Sequence, residues 1–236
     1  MYREMLSIEK GDVISIVGSG GKSTTMFLMA EELKNLGTVL VTTTTKILIP
    51  KVLKDYELCF NSVDSLLKYN LSLKNKVVIL GSRVENGKLI GLNNLELSKV
   101  REKFDYILIE ADGSKKLPLK AWRENEPVIL KYTTKTLGII PADLIGKKLD
   151  YDSVFNSELF KLHFKSEEYF SKEVLYNVIT DKEGIFKNSR GSKYIFFNRV
   201  EGEVKKYIVD VIFYLKNKTE NINYIYGSNE EGYCEY

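Results

Sequence analysis

The sequence has few of the residues that build disulfide frameworks and zinc sites. Its 236 residues include 2 cysteines and 1 histidine. Cys59 and Cys234 lie far apart in the chain, with no CxxC spacing and no nearby histidine, so neither kind of site is predicted. No partner for His163 can be recognised in the sequence, and we interpret it as a structural or exposed residue.

A strong charge imbalance and a long apolar run are also missing. The 35 Lys and Arg residues are nearly balanced by 32 Asp and Glu residues, and a net charge of +3 is no electrostatic footprint for nucleic acid. No apolar stretch approaches the roughly 18 residues of a membrane span. Residues 1–10 mix charges with short apolar pieces and lack the uninterrupted apolar stretch of a signal peptide, so we expect none there. We therefore expect a cytoplasmic protein that binds neither nucleic acid nor membrane.

The distribution of apolar residues predicts an α/β fold. Hydrophobic residues make up 44% of the chain, enough for the core of one globular domain. Strands are predicted at residues 13–17, 38–43, 77–80, 106–109, 137–140, 194–197 and 222–225, helices at 22–36, 63–69, 95–103, 166–179 and 202–216, and a hairpin or exposed loop at 82–94. Most strands are continuously apolar, which is typical of a parallel sheet covered on both faces.

The predicted architecture is a P-loop NTPase-like three-layer fold with a mostly parallel central sheet. We expect a single nucleotide-binding domain over residues 1–236, with a small helical insert around residues 145–165.

The clearest chemical signal is a glycine-rich loop between the first strand and the next helix. The predicted phosphate-binding residues are Gly18, Ser19, Gly20, Gly21, Lys22, Ser23 and Thr24. Glycines let consecutive backbone N–H groups turn toward phosphates, and a helix N-terminus adds positive potential. Lys22 would bridge the β- and γ-phosphates, Ser23 would ligate Mg²⁺, and Thr24 would meet the α-phosphate. The loop is two residues shorter than G-x-x-x-x-G-K-[ST], whose first glycine would fall at Ile16. The alternative is a glycine-rich turn with a solvated lysine.

Two carboxylates, Glu110 and Asp112, follow the predicted strand at residues 106–109. If the strand persists, alternation places both on the same side, so that one contacts the metal water and the other the attacking water. We assign catalytic roles to Lys22, Glu110 and Asp112, and metal binding to Ser23 and Asp112. The alternative is strand-end capping with an Asp-Gly turn.

Further polar residues follow the same sheet edge, where ligands of open α/β sheets collect. In the threonine run at residues 42–45, a hydroxyl such as that of Thr44 would ligate Mg²⁺ or sense the γ-phosphate, although threonines also suit a plain strand. Lys46 would neutralise phosphate charge. Lys115, with Lys116, Lys120 and Arg123, would bind a second anionic substrate or stabilise charge in phosphoryl transfer, or would form a solvated basic loop.

Several segments form a more specific pattern: VGSGGKSTT, VTTTTK, DYILIEADGSKKLPLKA, ENEPVI, EGIFK and FFNRVE. Together they resemble the YqeC family of selenium-dependent hydroxylase accessory proteins, also known as selenium cofactor biosynthesis proteins. The resemblance covers residues 10–226 and implies a P-loop NTPase fold that acts in maturation of molybdenum hydroxylases with a labile selenium cofactor. It marks Gly18, Gly21, Lys22, Ser23, residues 42–46, Glu110, Asp112, Gly113, Ser114, Lys115, Pro118, Lys120, Glu126 and Pro127. The short loop also resembles in shape the GTxGKT loop of Mur-type ligases.

The chain departs from these patterns at two places. Phe155 and Asn156 stand where the family commonly has a His-Arg pair. Residues 198–201 (NRVE) stand where related P-loop proteins read guanine with Asn-Lys-x-Asp. Asn198 would contact the base, and Glu201 would receive the guanine N1 and N2 hydrogens. The expected cofactors are Mg²⁺ and a nucleoside triphosphate, with ATP and GTP both open.

The expected function is that of an Mg-NTP-binding and NTP-hydrolysing accessory protein in maturation of a selenium-dependent molybdenum hydroxylase. Its partners would be the nucleotide and a molybdenum hydroxylase or its cofactor. One alternative is a small-molecule kinase or Mur-like ATP-dependent ligase, with residues 115–123 binding an acceptor. Another is a non-catalytic nucleotide switch, with residues 42–45 as the responding segment. Phosphate binding is common to all three, so the sequence does not separate them.

Overall fold

The computed structural model of the protein describes residues 1–50, 52–70, 72–164 and 168–236. The strands are β1 (Val13–Gly18), β2 (Val39–Thr43), β3 (Lys46–Leu48), β4 (Glu57–Phe60), β5 (Val77–Leu80), β6 (Arg83–Glu85), β7 (Lys88–Ile90), β8 (Tyr106–Glu110), β9 (Leu119–Lys120), β10 (Lys135–Pro141), β11 (Val154–Phe155), β12 (Ser192–Asn198), β13 (Ile222–Ser228) and β14 (Tyr233–Glu235). The α-helices are α1 (Tyr2–Met5), α2 (Lys22–Leu33), α3 (Val63–Leu67), α4 (Asn94–Val100), α5 (Ser157–Phe164), α6 (Lys172–Thr180) and α7 (Ile208–Lys216).

The centre of the structure is a nine-stranded sheet in the order β14-β13-β12-β10-β1-β8-β2-β5-β4. In the described part of the chain, neighbouring strands of this sheet run parallel except for the β13–β14 pair. This confirms the predicted α/β fold with a mostly parallel sheet. Strand β1 lies in the interior of the sheet, between β10 and β8, so the loop that follows β1 has neighbours on both sides.

Helices cover both faces of the sheet. On β1, Ile14 and Ile16 belong to the core beneath α1 and α2, together with Met26 and Met29. The alternate residues of β1 point to the opposite face, where one core lies under α3 and α4 and another under α5, α6 and α7. Because both faces are covered, every residue of β1 is buried. Burial on both faces explains why the strands are continuously apolar in the sequence.

A smaller three-stranded sheet, in the order β3-β7-β6, extends from the end of β2. Strands β6 and β7 form the hairpin expected within residues 82–94, with Asn86 and Gly87 in its turn at φ 49° and 70°. Strand β3 pairs antiparallel with β7. This sheet places Lys46 and Lys88 beside the carboxyl edge of the large sheet.

All the predicted strands and most of the predicted helices are present, with differences at their ends. The helix expected at residues 166–179 begins at Lys172, and residues 168–171 are not helical. Its first residues, 166–167, and the last residue of the expected insert, 165, lie outside the described residues. The helix expected at residues 202–216 is a 3₁₀-helix over Gly202–Lys206 followed by α7.

The region of the expected insert contains α5 and the short strand β11, which pairs with β9. In the described ranges, no helix is both long and apolar enough to cross a bilayer.

Candidate phosphate-binding site

The loop between β1 and α2 has a backbone that glycine suits. Gly18, Gly20 and Gly21 have φ values of 94°, 79° and 132°, in the left-handed region that side chains disfavour. A side chain at Gly18 would collide with the carbonyl oxygen of Ile139, and one at Gly20 would approach the Pro141 ring to 2.8 Å. The loop therefore packs closely against the end of β10, where only glycine fits.

Lys22 is the first residue of α2, and its side chain folds back over the loop. Its ammonium donates to the Gly18 carbonyl oxygen at 2.6 Å and lies 3.2 Å from Asp112 Oδ1. The side chain is 5% exposed. The N–H groups of the first turn of α2 have no partners within the helix, so this end of the helix attracts anions. The Lys22 ammonium and the N-terminus of α2 thus both lie at the loop.

Asp112 is completely buried and surrounded by donors. Its Oδ2 accepts hydrogen bonds from the Gly18 N–H at 3.0 Å and from Trp122 Nε1 at 2.6 Å, and Lys120 Nζ lies 3.1 Å away. Burial by itself would raise the pKa of Asp112, but Lys22, Lys120 and the two hydrogen bonds together hold it below its ordinary value of 3.8. Asp112 is therefore an ionised group that holds the loop and the two lysines in place.

Glu110 has a different environment, although it is only two residues away. It is the last residue of β8, and its Oε2 accepts a hydrogen bond of 2.5 Å from the Ser23 hydroxyl. Burial raises the pKa of Glu110 above its ordinary value, because it outweighs the attraction of Lys22 and the hydrogen bond from Ser23. Since β8 ends at Glu110, strand alternation does not extend to Asp112.

A pocket of about 1010 Å³ opens beside the loop. The predicted residues that line it are Gly20, Gly21, Lys22, Ser23, Thr24, Lys46, Glu110, Gly113, Ser114, Lys115 and Lys116. Asp112 is not among the lining residues. Of the two carboxylates, Glu110 therefore faces the pocket, whereas Asp112, to which we assigned metal binding from the sequence, does not line it.

The residues expected to read the base are engaged with the protein. The side-chain amide of Asn198 donates to the Gly20 carbonyl oxygen at 2.8 Å, and its Oδ1 accepts from the Asn229 N–H at 3.1 Å. Glu201 accepts a hydrogen bond from the Ser228 hydroxyl. Asn198 therefore holds the glycine-rich loop between β1 and α2 in this structure.

Four other predicted residues, Ser19, Thr44, Lys46 and Lys115, also have partners within the protein. Ser19 donates to the Pro118 carbonyl oxygen at 2.8 Å, and Thr44 to that of Val128 at 2.9 Å. At the pocket, Lys46 forms an exposed ion pair of 2.6 Å with Glu85, and the Lys115 ammonium lies 5.3 Å from the centre of the Phe155 ring.

Two residues of the site were not predicted. Trp122 is held by its hydrogen bond to Asp112, and its sequence neighbourhood carries no signal for that role. Asn229 follows β13 directly and connects Asn198 to Thr25, whose hydroxyl accepts from Asn229 Nδ2 at 2.9 Å. A polar residue just after a parallel strand could have been recognised by the same reasoning that selected Glu110.

Oxygen ligands for Mg²⁺ are present at the loop. In the parts of the chain described, no group of three or more His, Cys, Asp or Glu side chains is placed to hold a metal ion. Mg²⁺ at nucleotides takes only one or two carboxylates, together with phosphates and waters. The Ser23 hydroxyl and the Glu110 carboxylate fit this requirement.

Comparison with known proteins places the chain in a family. The family model described as YqeC protein matches residues 14–158, well over half of the chain. The chain belongs to the YqeC family. A relative from Escherichia coli (strain K12), described as "Uncharacterized protein YqeC", is 29% identical over 192 residues, which is 78% of this chain and 74% of the relative. No solved structure was found that matches the chain. The range matched to the YqeC model includes the loop and both carboxylates, whereas Asn198 and Glu201 lie beyond it.

Proposed function

We propose that this YqeC-family chain binds a nucleoside triphosphate with Mg²⁺, hydrolyses it, and acts in the cytoplasm in maturation of a selenium-dependent molybdenum hydroxylase. The nucleotide part is supported by one observation above all: Lys22, Ser23 and Glu110 meet in one pocket at the N-terminus of α2. The hydroxylase part is supported by the resemblance to the YqeC family of accessory proteins.

Binding of a triphosphate requires Lys22 to change partners. Its ammonium would leave the Gly18 carbonyl oxygen and Asp112 and contact the β- and γ-phosphates. Asp112 would keep the Gly18 N–H, Trp122 and Lys120, so it would stay paired inside the protein. The exchange therefore avoids the cost of a buried carboxylate that has no cation beside it.

Ser23 and Glu110 would hold the metal ion. The Ser23 hydroxyl oxygen would contact Mg²⁺, and Glu110 would bind the ion directly or through one of its waters. Bound Mg²⁺ supplies positive charge that neutralises the β- and γ-phosphates. Because a nearby cation favours the ionised form of a carboxyl group, Glu110 would lose its proton more easily in the complex. We also assign Glu110 the task of orienting the attacking water, since Glu110 lines the pocket and Asp112 does not.

The switch alternative has less support. The hydroxyls of Thr42 and Thr43 donate to the carbonyl oxygens of Leu80 and Glu110 at 2.7 Å each, so these threonines belong to the sheet rather than to a free segment. A kinase or ligase remains compatible with the pocket, which extends well beyond the loop.

Phosphate release from ATP and GTP tests the nucleotide part. Lys22→Ala should abolish release, because the charge on the transferred phosphoryl group is no longer compensated. Lys99→Ala is the control: Lys99 is an exposed helical residue on the opposite face of the sheet and should leave release unchanged. Glu110→Gln should still bind nucleotide but lose most of the dependence on Mg²⁺. Undiminished release by folded Lys22→Ala would contradict the proposal.

The hydroxylase part needs a separate experiment in cells. A selenium-dependent molybdenum hydroxylase isolated from cells that lack this chain should contain less selenium per molybdenum than the same enzyme from complemented cells. Complementation with Lys22→Ala should fail if the nucleotide is required. An unchanged selenium content would contradict the assignment to maturation.

A further inference from the structure

The pocket extends to one side of the phosphate loop, away from the residues expected to meet the base. Strand β12, which ends at Asn198, lies two strands from β1 on one side, and Arg199 lines the pocket there. Strand β2 lies two strands from β1 on the other side and leads into β3. The segment at residues 46–54 contributes a large part of the lining. A nucleotide whose base lies toward β12 would leave this second part vacant.

The second part of the pocket is rich in lysine. Its lysines are Lys46, Lys54, Lys88, Lys115 and Lys116. Lys46 and Lys54 form exposed ion pairs with Glu85 and Glu31, whereas Lys88 and Lys116 make no ion pair with any described residue. Exposed pairs are weak and exchange readily with a better anion. The lining therefore offers several positive charges to a ligand.

Two of these lysines are held in an unfavourable backbone conformation. Lys115 and Lys116 are consecutive and have φ values of 50° and 66°. The left-handed region is unfavourable for residues other than glycine. Strain of this kind concentrates at binding sites. Both of these residues line the pocket.

Apolar side chains lie between the lysines. Phe27 of α2 and residues 47–50 contribute to the lining, and Leu48 and Val52 are 63% and 84% exposed. Small-molecule sites combine such apolar surface with a few charged groups that fix the orientation. The combination suits a ligand that has an apolar body and a concentrated negative charge.

We propose that this part of the pocket, lined by Lys46, Lys54, Lys88, Lys115, Lys116 and the apolar residues at 47–52 other than residue 51, is a second ligand site for a phosphate monoester with an aromatic or other apolar body. Ammonium groups act as point charges toward phosphate, and a dianion matches several of them at once. The proposal rests on the proposed function in one respect, because the nucleotide is taken to occupy the loop. The volume of about 1010 Å³ lies just above the range of roughly 300–1,000 Å³ for a single small ligand.

Titration with 2-naphthyl phosphate tests the second site, because its own fluorescence reports an apolar environment. The protein should bind one equivalent, at least about tenfold tighter than inorganic phosphate or 2-naphthol. Binding should persist when Mg²⁺ and a non-hydrolysable ATP analogue are saturating. Displacement by the analogue in equal proportion would overturn the proposal, since one site would then serve both ligands. Absence of saturable binding would overturn it as well.

Variants separate the charges from the apolar surface. Lys88→Ala combined with Lys116→Ala should weaken 2-naphthyl phosphate binding by about tenfold or more, with Lys99→Ala as the unchanged control. Leu48→Ser should reduce the difference in binding affinity between 2-naphthyl phosphate and inorganic phosphate. Leu48 is exposed, so this change should leave the fold intact. Unaltered affinities in both sets of variants would place the ligand elsewhere and overturn the proposal.

The two proposals can fail independently. Lys22→Ala should lose the nucleotide analogue and keep 2-naphthyl phosphate. A wild-type protein that binds 2-naphthyl phosphate but no nucleotide would refute the proposed function and leave the second site standing. The reverse pattern would refute the second site only.

Discussion

Asp112→Asn is expected to weaken the fold far more than its small change in shape suggests. The carboxylate is fully buried and lies 3.2 Å from Lys22 Nζ and 3.1 Å from Lys120 Nζ, whose side chains are 5% and 1% exposed. A neutral amide would leave two buried ammonium groups without their shared counter-charge. Removing one partner of a buried pair costs about 3–5 kcal/mol. That loss is a large part of the roughly 5–15 kcal/mol that stabilises a typical domain.

The dependence on pH adds a second readout. Because the pKa of Asp112 is held below 3.8 in the folded protein, its stabilising contribution is fully present above that value and is lost as the pH falls through the folded pKa. Urea unfolding should therefore show the full difference in free energy of unfolding between wild type and Asp112→Asn at pH 7. This difference should shrink as the pH falls below 3.8. Glu85→Gln, which breaks the exposed pair with Lys46, should not change the midpoint. Equal midpoints for Asp112→Asn and wild type at pH 7 would refute the reasoning.

Three further variants test other parts of the site. Burial raises the pKa of Glu110, so the contribution of this carboxyl group to stability is lost as the pH rises through its folded pKa. Without Mg²⁺, Glu110→Gln should therefore unfold at higher urea concentration than wild type at pH 8, and at the same concentration below pH 4.5. Equal unfolding midpoints at pH 8 would contradict this. Gly18→Ala should lower the free energy of unfolding by at least about 1–2 kcal/mol because Gly18 has a positive φ. Gly113→Ala is the control for thermal unfolding: no described atom lies near the added carbon, so its free energy of unfolding should not change. Asn198→Ala should weaken ATP and GTP analogues equally in a calorimetric titration, because Asn198 holds the loop; a loss confined to GTP would assign it to the base instead.

The central part of the fold was predictable because burial on both faces makes a strand apolar throughout. Strands such as β5 and β8 are fully buried and were recognised for that reason. Strand β4 was not recognised: it lies at one edge of the sheet and is only half-buried, so its sequence ELCF shows no continuous apolar run. Strand β14, at the other edge, is three residues long. Edge strands carry weaker patterns because one side faces water.

Sequence reasoning selected the residues that meet in the candidate site, but it did not predict the contacts between them. The positions of Lys22, Ser23 and Glu110 followed from the strand-to-helix junction and the end of β8. Asp112 was expected to share the site with Glu110 and to bind the metal, because both are carboxylates near a strand end. Their different environments depend on where β8 stops and on Lys120 and Trp122, which approach Asp112 through contacts that local sequence does not encode.

Calorimetric titration with non-hydrolysable ATP and GTP analogues, with and without Mg²⁺, tests the central claim most directly. Wild-type protein should bind at least one analogue at one site, more tightly with Mg²⁺, and Lys22→Ala should lose this binding while Lys99→Ala keeps it. Equal binding by wild type and folded Lys22→Ala, or no binding by wild type, would contradict a phosphate-binding role for the loop.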